Sequence, residues 1–154
     1  HQEARRQRQM CIRDSQQAEL RQLLGDSVDL QRRLLLPGVS GSMAGWYERA
    51  TVFVLPSRFE GFPNVLLEAM AAGCACIASD CLTGPSDLIR HGENGLLLSA
   101  QAATGDWVDA IDGLLQDPER CHQLGARAAA VRERYASERL RRDFLEAMSS
   151  FRHG

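Results

Sequence analysis

The sequence predicts a doubly wound, Rossmann-like parallel α/β sheet with a helical C-terminal tail. Short apolar runs bounded by Gly, Pro and Asp alternate with helical segments, a pattern typical of βαβ units. The runs that most resemble buried strands are Thr51–Pro56, Cys74–Ala78 and Gly95–Leu98. Beyond about residue 104 only helical patterns occur, so the tail is expected to pack as helices beside the sheet.

The segment before the central strand contributes two predicted helices and a strand. Ser15 is a suitable N-cap for the predicted helix Ser15–Leu24, and Gly25 ends that helix. A strand is predicted at Arg32–Leu36, followed by the short helix Ser42–Arg49.

The central strand, loop and helix come next and are the most informative stretch. Strand Thr51–Pro56 leads into a turn, and Pro63 fits the first position of a helix because its fixed φ is helical and its missing N–H needs no partner there. Every residue of Val65–Ala72 except Glu68 is apolar, which predicts a helix buried on all sides. Gly73 is the expected C-terminal cap.

The elements after Gly73 are short until the helical tail. Loop Asp80–Pro85 follows the second strand, and the turn His91–Gly95 precedes the third. The predicted helices of this part are Pro85 (or Ser86) to Arg90, Thr104–Gln116, Pro118–Tyr135 and Ser137–Met148.

Composition excludes several functional classes. The chain has 154 residues and a net charge of −2, which gives no basic footprint for nucleic acid. All 18 basic residues are Arg, so chemistry that needs a Lys base or Schiff base is excluded. No apolar run approaches the length of a membrane span, and no signal peptide is recognised. An odd number of Cys, five, predicts reduced thiols and a cytoplasmic location.

Residues 1–15 show no hydrophobic periodicity and are set aside from the fold prediction. We interpret them as a sequencing or cloning artefact, with a natural basic, disordered tail as the alternative. Residues 16–154 are expected to form the domain.

Two carboxylates, Glu60 and Glu68, lie eight positions apart on either side of the start of the central helix. The amide groups and dipole at that start attract phosphate. A Glu in a buried helix needs a partner, and no Arg lies nearby on this helix, so hydroxyl groups of a ligand are expected to supply it. A nucleotide laid along the helix could meet both the phosphate-binding start and Glu68.

These residues resemble the E-x7-E signature of retaining glycosyltransferases of family four, which have the GT-B fold. The similarity extends from about Gln16 to Met148 and depends on several linked motifs. They are Ser57–Pro63, Glu68–Gly73, Ile77–Asp80, Thr83–Ile89 and His91–Leu97.

The resemblance implies a role for each residue of the central stretch. Glu60 would meet the hydroxyls of the donor sugar, as a nucleophile or as an electrostatic stabiliser, and Glu68 would bind the ribose hydroxyls. Thr83-Gly84, where many relatives have Gly-Gly, favours a UDP-linked donor. No metal or cofactor is implied. The donor sugar and diphosphate would be bound by the segment comprising Gly61, Phe62, Pro63, Asn64 and Val65.

The resemblance also implies that the chain is most of the C-terminal, donor-binding half of a GT-B enzyme. An N-terminal acceptor domain, and a strand with an Arg and a Lys for the diphosphate, have no match in this sequence. The chain alone is therefore expected to be inactive. The longer parent protein that the resemblance implies would transfer a hexose-type sugar from a nucleotide-sugar donor to a glycan or lipid-linked acceptor. The alternatives are a non-catalytic module that binds a nucleotide-sugar or a partner, and a sugar-nucleotide epimerase of the same fold.

Other chemistry-bearing residues have simpler explanations. Cys74, Cys76 and Cys81 are expected to be small buried hydrophobes rather than metal ligands, because no His lies at ligand spacing. His91 and His122 are expected to be solvated. The Arg-rich C-terminal helices are interpreted as a solvated face, with peripheral contact with an anionic membrane as the alternative.

Overall fold

The computed structural model describes residues 43–139, and the chain divides into two compact units, His1–Met43 and Ala44–Gly154. Every described helix and strand belongs to the second unit. The predictions for residues 1–15, helix Ser15–Leu24, strand Arg32–Leu36 and most of helix Ser137–Met148 lie outside the described residues.

The described residues form a three-stranded parallel sheet with the strand order β1-β2-β3. Because the strands are parallel, their carboxyl ends lie at one edge of the sheet. The strands are β1 (Val52–Leu55), β2 (Ala75–Asp80) and β3 (Leu96–Ser99).

Helices alternate with these strands and then continue alone, which confirms the predicted fold class of a parallel sheet with helices. They are α1 (Ala44–Tyr47), α2 (Asn64–Ala72), α3 (Pro85–Leu88), α4 (Thr104–Gln116), α5 (Pro118–Ala128) and α6 (Val131–Arg134).

The middle strand of the sheet, β2, is covered on both faces. Ala75 and Ile77 pack with Leu114 of α4 and Leu124 of α5 in one apolar cluster. Cys76, which points to the opposite face because strand residues alternate, is also fully buried. Side chains above and below β2 therefore hold its carboxyl end, and the loops that follow it, in place.

Helix α2 ends as the sequence predicts. Gly73 has a φ of 89°, its N–H donates to the carbonyl of Met70 at 3.0 Å, and the N–H of Cys74 donates to Ala69 at 3.1 Å. This Schellman-type ending needs a left-handed residue, which Gly adopts without strain. At the other end, the helix begins at Asn64, so Pro63 is the N-cap rather than the first helical residue.

The prediction of one helix over Pro118–Tyr135 is wrong, since α5 and α6 are separate. Between them the hydrogen-bond spacing changes from i→i−4 to i→i−3, and the Ala130 N–H donates to the Arg127 carbonyl at 3.3 Å. This 3₁₀-type spacing interrupts the α-helical ladder between α5 and α6. The prediction that α3 reaches Arg90 is also wrong, because Ile89 is extended and the Asn94 side chain hydrogen-bonds the Leu88 carbonyl at 3.1 Å.

Candidate functional site

The loop after β1 and the loop after β2 lie against each other at the carboxyl edge of the sheet. The Thr83 hydroxyl donates a 2.6 Å hydrogen bond to the carbonyl of Glu60. Gly84, with a φ of 99°, approaches the other loop so closely that a Cβ there would lie 2.2 Å from the Gly61 carbonyl oxygen. We call these two segments, residues 57–63 and 81–84, the paired loops. Their contact fixes the backbone that carries Glu60.

The start of α2 opens directly from the paired loops. No side chain caps this helix. The N–H groups of Asn64 and Leu66 already donate to the carbonyls of Phe62 and Pro63, each at 3.0 Å, so among the first-turn amides of the described chain the Val65 N–H is the one available to a ligand. Gly61, Phe62, Asn64 and Val65 are exposed around it. Pro63 is buried beneath them and contributes support rather than ligand-binding surface.

The two candidate carboxylates differ in exposure but share a lack of protein partners. Glu60 is partly buried and Glu68 is exposed. Neither carboxylate makes a hydrogen bond or an ion pair with another of residues 43–139. Both are therefore free to accept hydrogen bonds from the hydroxyls of a ligand.

The expectation that α2 is buried on all sides, and that Glu68 is buried with it, is wrong. Leu66, Ala69 and Met70 are fully buried, whereas Val65 is 42% exposed and Glu68 also faces solvent. An exposed carboxylate is satisfied by water. The need for a partner thus gives no argument for a ligand, and the case for Glu68 depends on its position beside the helix start.

A segment that sequence reasoning missed packs against the paired loops and α2. The Tyr135 ring, just after α6, lies 5.7 Å from the Phe62 ring, and Arg132 of α6 donates to the Ala71 carbonyl of α2. Nothing local in the sequence signals these contacts, because about 60 to 70 residues separate the partners.

A second opening at the same edge was also missed. A polar cavity of about 420 Å³ lies on the β3 side, where Arg58, Ser79, Gln101 and Trp107 line it. Neither Glu60 nor Glu68 borders this cavity. The strand ends alone could have indicated it, since residues after β1, at the end of β2 and after β3 all contribute.

The cysteines of the described part are buried free thiols, as expected. Burial raises the pKa of Cys74, Cys76 and Cys121, so these thiols are protonated and unreactive near neutral pH. Within residues 43–139 no group of three His, Cys, Asp or Glu side chains is arranged to hold a metal ion. In the same range, no helix has the length and apolar character to cross a bilayer.

Comparison with known proteins shows what this arrangement resembles. An exopolysaccharide phosphotransferase of Streptomyces coelicolor is 37% identical over 124 residues, which is 80% of this chain and 13% of that protein. The D-inositol 3-phosphate glycosyltransferase of Pseudarthrobacter chlorophenolicus is 40% identical over 114 residues, 73% of this chain and 26% of the relative.

The fold has a counterpart among solved structures. HepE of Anabaena, crystallised with UDP, superposes with a TM-score of 0.77 at 22% identity, over 86% of this chain and 36% of that one. This likeness supports a GT-B fold. The chain thus spans a minor part of each of these three proteins.

The family model for glycosyl transferases group 1 matches residues 4–117. The match begins within residues 1–15, and the domain boundary at residue 15 stays a prediction. Because the model covers well over half of the sequence, the chain belongs to the glycosyl transferases group 1 family.

Proposed function

We propose that the chain is the donor-binding half of a retaining family-four glycosyltransferase with an E-x7-E motif, Glu60 and Glu68. The observation that carries the proposal is that two carboxylates without protein partners flank a helix start without a side-chain cap. This combination can accept hydroxyl groups on both sides of a phosphate. A nucleotide diphosphate sugar has that order of groups.

Each part of the donor meets a different part of the site in this proposal. The ribose hydroxyls donate to Glu68, and the diphosphate lies at the amide groups and positive dipole end of α2. The sugar lies over the paired loops, where Glu60 faces its reacting carbon as a nucleophile or as a stabiliser of positive charge. Amide groups held in place by the Thr83–Glu60 contact stabilise the leaving diphosphate without needing to reorganise.

The comparisons support a UDP-linked donor and an acceptor rich in hydroxyl groups. HepE was crystallised with UDP and, in another crystal, with UDP-glucose. One relative is named for glycosyl transfer to D-inositol 3-phosphate and another for an exopolysaccharide. For this chain we propose transfer of a hexose from a UDP-sugar to a glycan or lipid-linked acceptor.

An exposed apolar patch favours a second domain facing the donor site. Phe59 is 86% exposed and Leu82 is 97% exposed, and Phe62 and Val65 extend the patch toward α2. A patch of large apolar side chains beside a polar site is typical of a surface that another surface covers. We propose that an acceptor-binding domain closes over it and excludes water from the donor.

The remaining expectations stay proposals. Transfer should need no metal or cofactor, because the helix start takes the place of a cation at the diphosphate, so activity should survive chelation. A cytoplasmic location is proposed. Peripheral contact with an anionic membrane would use exposed arginines such as Arg132, while Arg141 and Arg142 lie outside the described residues.

Calorimetric titration of the parent protein with UDP tests the donor site. Glu68→Ala should weaken UDP binding at least about tenfold, equal to about 1.4 kcal/mol. Asp112→Ala removes the same charge from an exposed face of α4 and should leave affinity unchanged. Equal UDP affinity of the Glu68→Ala variant and the unchanged parent protein would refute the ribose assignment.

The role of Glu60 is tested by turnover in the parent protein. Glu60→Ala should leave UDP affinity close to that of the unchanged protein but reduce sugar transfer, measured as UDP release with acceptor present. Product analysis separates transfer from epimerisation, because an epimerase returns an isomer of the nucleotide sugar. Full turnover by the variant would remove Glu60 from the reaction.

A further inference from the structure

A groove of about 450 Å³ lies between the turn at residues 89–95 and the helices α5 and α6. Three arginines, Arg90, Arg127 and Arg134, line it, and we call it the arginine groove. The turn precedes β3, so the groove opens beside the amino end of that strand, whereas the paired loops follow carboxyl ends. None of the residues proposed to bind the donor lines it.

The groove has a rigid wall. Asn94 accepts a 2.7 Å hydrogen bond from the Arg90 N–H and donates to the Leu88 carbonyl at 3.1 Å. Arg127 reaches across to this wall, where its Nη1 donates to the carbonyl of Glu93 at 3.5 Å. Arg134 donates to the Asp87 carbonyl at 3.2 Å from the α6 side. Arg127 and Arg134 are thus held by backbone acceptors.

Positive charge in the groove is largely uncompensated. Arg90 pairs with Glu93 at 3.8 Å, but both side chains are strongly exposed, so that pair is weak. Arg127 and Arg134 form no ion pair with a carboxylate of residues 43–139. Three guanidinium groups and one carboxylate leave a net charge of +2 on the lining, and like charges held together attract an anion.

We propose that the arginine groove binds a phosphoryl group. Guanidinium forks match phosphate oxygens and stay charged at every physiological pH. The floor is apolar, because Leu88 is 2% exposed and Val131 is 5% exposed, and such a floor strengthens an ion contact by limiting water. The volume is in the range of pockets for small molecules, so a phosphorylated metabolite or a lipid headgroup fits.

Nuclear magnetic resonance of the chain in chloride buffer tests this at constant ionic strength, with pyrophosphate as the probe. Saturable shifts of the Arg127 and Arg134 side-chain N–H signals are expected. Arg127→Gln should lower the affinity for pyrophosphate, measured from the Arg134 signals that remain, at least about tenfold. It is a cleaner variant than Arg134→Gln, because Arg134 also contacts the ring of Tyr135. Arg120→Gln, on the same helix and outside the groove, is the matched control.

The backbone amide spectrum shows whether each variant is folded, and the site of the shifts separates the outcomes. Shifts confined to residues 61–65 mean that pyrophosphate occupies only the start of α2, and this result overturns the proposal. Equal weakening by Arg120→Gln and Arg127→Gln overturns it as well, because the attraction is then not specific to the groove.

A second experiment, with lipid vesicles, distinguishes a lipid headgroup from a soluble phosphorylated ligand. Co-sedimentation is measured with phosphatidylcholine vesicles that contain phosphatidic acid, using the unchanged chain and the same two variants. Sedimentation that Arg127→Gln abolishes, together with the shifts, supports a lipid headgroup. Shifts without sedimentation support a soluble phosphorylated ligand. Absence of both saturable shifts and Arg127-dependent sedimentation refutes the groove as a phosphoryl site.

Discussion

Gly84 is the point at which the paired loops meet, and Gly84→Ala tests whether that contact holds the donor site. The added methyl would lie 2.2 Å from the Gly61 carbonyl oxygen and 2.9 Å from Cδ of Pro63. Alanine at position 84 would also have to adopt a φ of 99°, a backbone conformation that residues with a Cβ rarely adopt. The substitution therefore adds a clash and backbone strain.

The expected loss of stability is the sum of the clash and the backbone strain. Strain at such a φ costs about 1–3 kcal/mol, and a methyl forced into packed surroundings costs about 1–3 kcal/mol. Gly84→Ala should thus lower the free energy of unfolding by about 2–6 kcal/mol. The neighbouring atoms are backbone and a Pro ring, so relief requires the loop carrying Glu60 to move, and UDP affinity should fall about tenfold or more.

Two other glycines separate the effect of backbone strain from the effect of the steric clash. Gly92 has a φ of 78° but no atom within 4 Å of an added Cβ, so Gly92→Ala introduces strain without a clash. Gly125, inside α5, has its added Cβ 2.2 Å from the Gly73 carbonyl oxygen, so Gly125→Ala introduces the same clash far from the donor loops. Thermal unfolding and UDP titration are measured for all three variants.

The expected pattern is specific. Gly92→Ala and Gly125→Ala should lose stability, by about 1–3 kcal/mol each, and keep their UDP affinity. Only Gly84→Ala should lose both. A folded Gly84→Ala variant with unchanged UDP affinity would contradict the argument that the contact between the loops positions the donor site.

Two further predictions concern single side chains. Thr83→Val removes the hydroxyl that donates to the Glu60 carbonyl, so the parent should turn over its donor more slowly and its free energy of unfolding should fall by about 0.5–1.5 kcal/mol. Thr83→Ser should restore both turnover and stability. Failure of the Ser variant to do so would argue against the hydrogen-bond explanation. Burial raises the pKa of Cys76 above its ordinary value of 9.0, so its thiol stays protonated in the folded state while the unfolded thiol ionises. The free energy of unfolding should therefore hold below about pH 9 and fall above it, with this thiol contributing about 1.4 kcal/mol per pH unit. Urea unfolding at about pH 7.5, 9.5 and 10.5 spans this range and measures the slope, and Cys76→Ala should reduce it.

Local patterns were enough to predict the sheet and the order of its elements. Strands β1 and β2 are runs of apolar residues between turn signals, and α4 has the predicted bounds Thr104–Gln116. Gly73 ends α2 because a left-handed residue is needed there. These features depend on residues close in sequence, so a single sequence contains them.

Features that depend on distant residues were not predictable. In α2 every residue of Val65–Ala72 but one is apolar, so periodicity could not show which face packs on the sheet and which is open. The Ala-rich segment around Ala129 has no helix breaker, and α5 and α6 separate where α6 instead contacts α2. The bond from Thr83 to Glu60 joins two loops that are 23 residues apart.

The exposure of Glu68 changes the physical argument for the site rather than its location. A buried Glu would make the ligand necessary for satisfying a charge, whereas an exposed Glu exchanges water for ribose hydroxyls and gains little while water remains. The contact becomes stronger only when the site is desolvated, as the apolar side chains of Phe59 and Leu82 at its rim would allow once covered. Under the proposed closure of an acceptor domain over the paired loops, donor affinity should therefore be lower in the chain alone than in the parent protein.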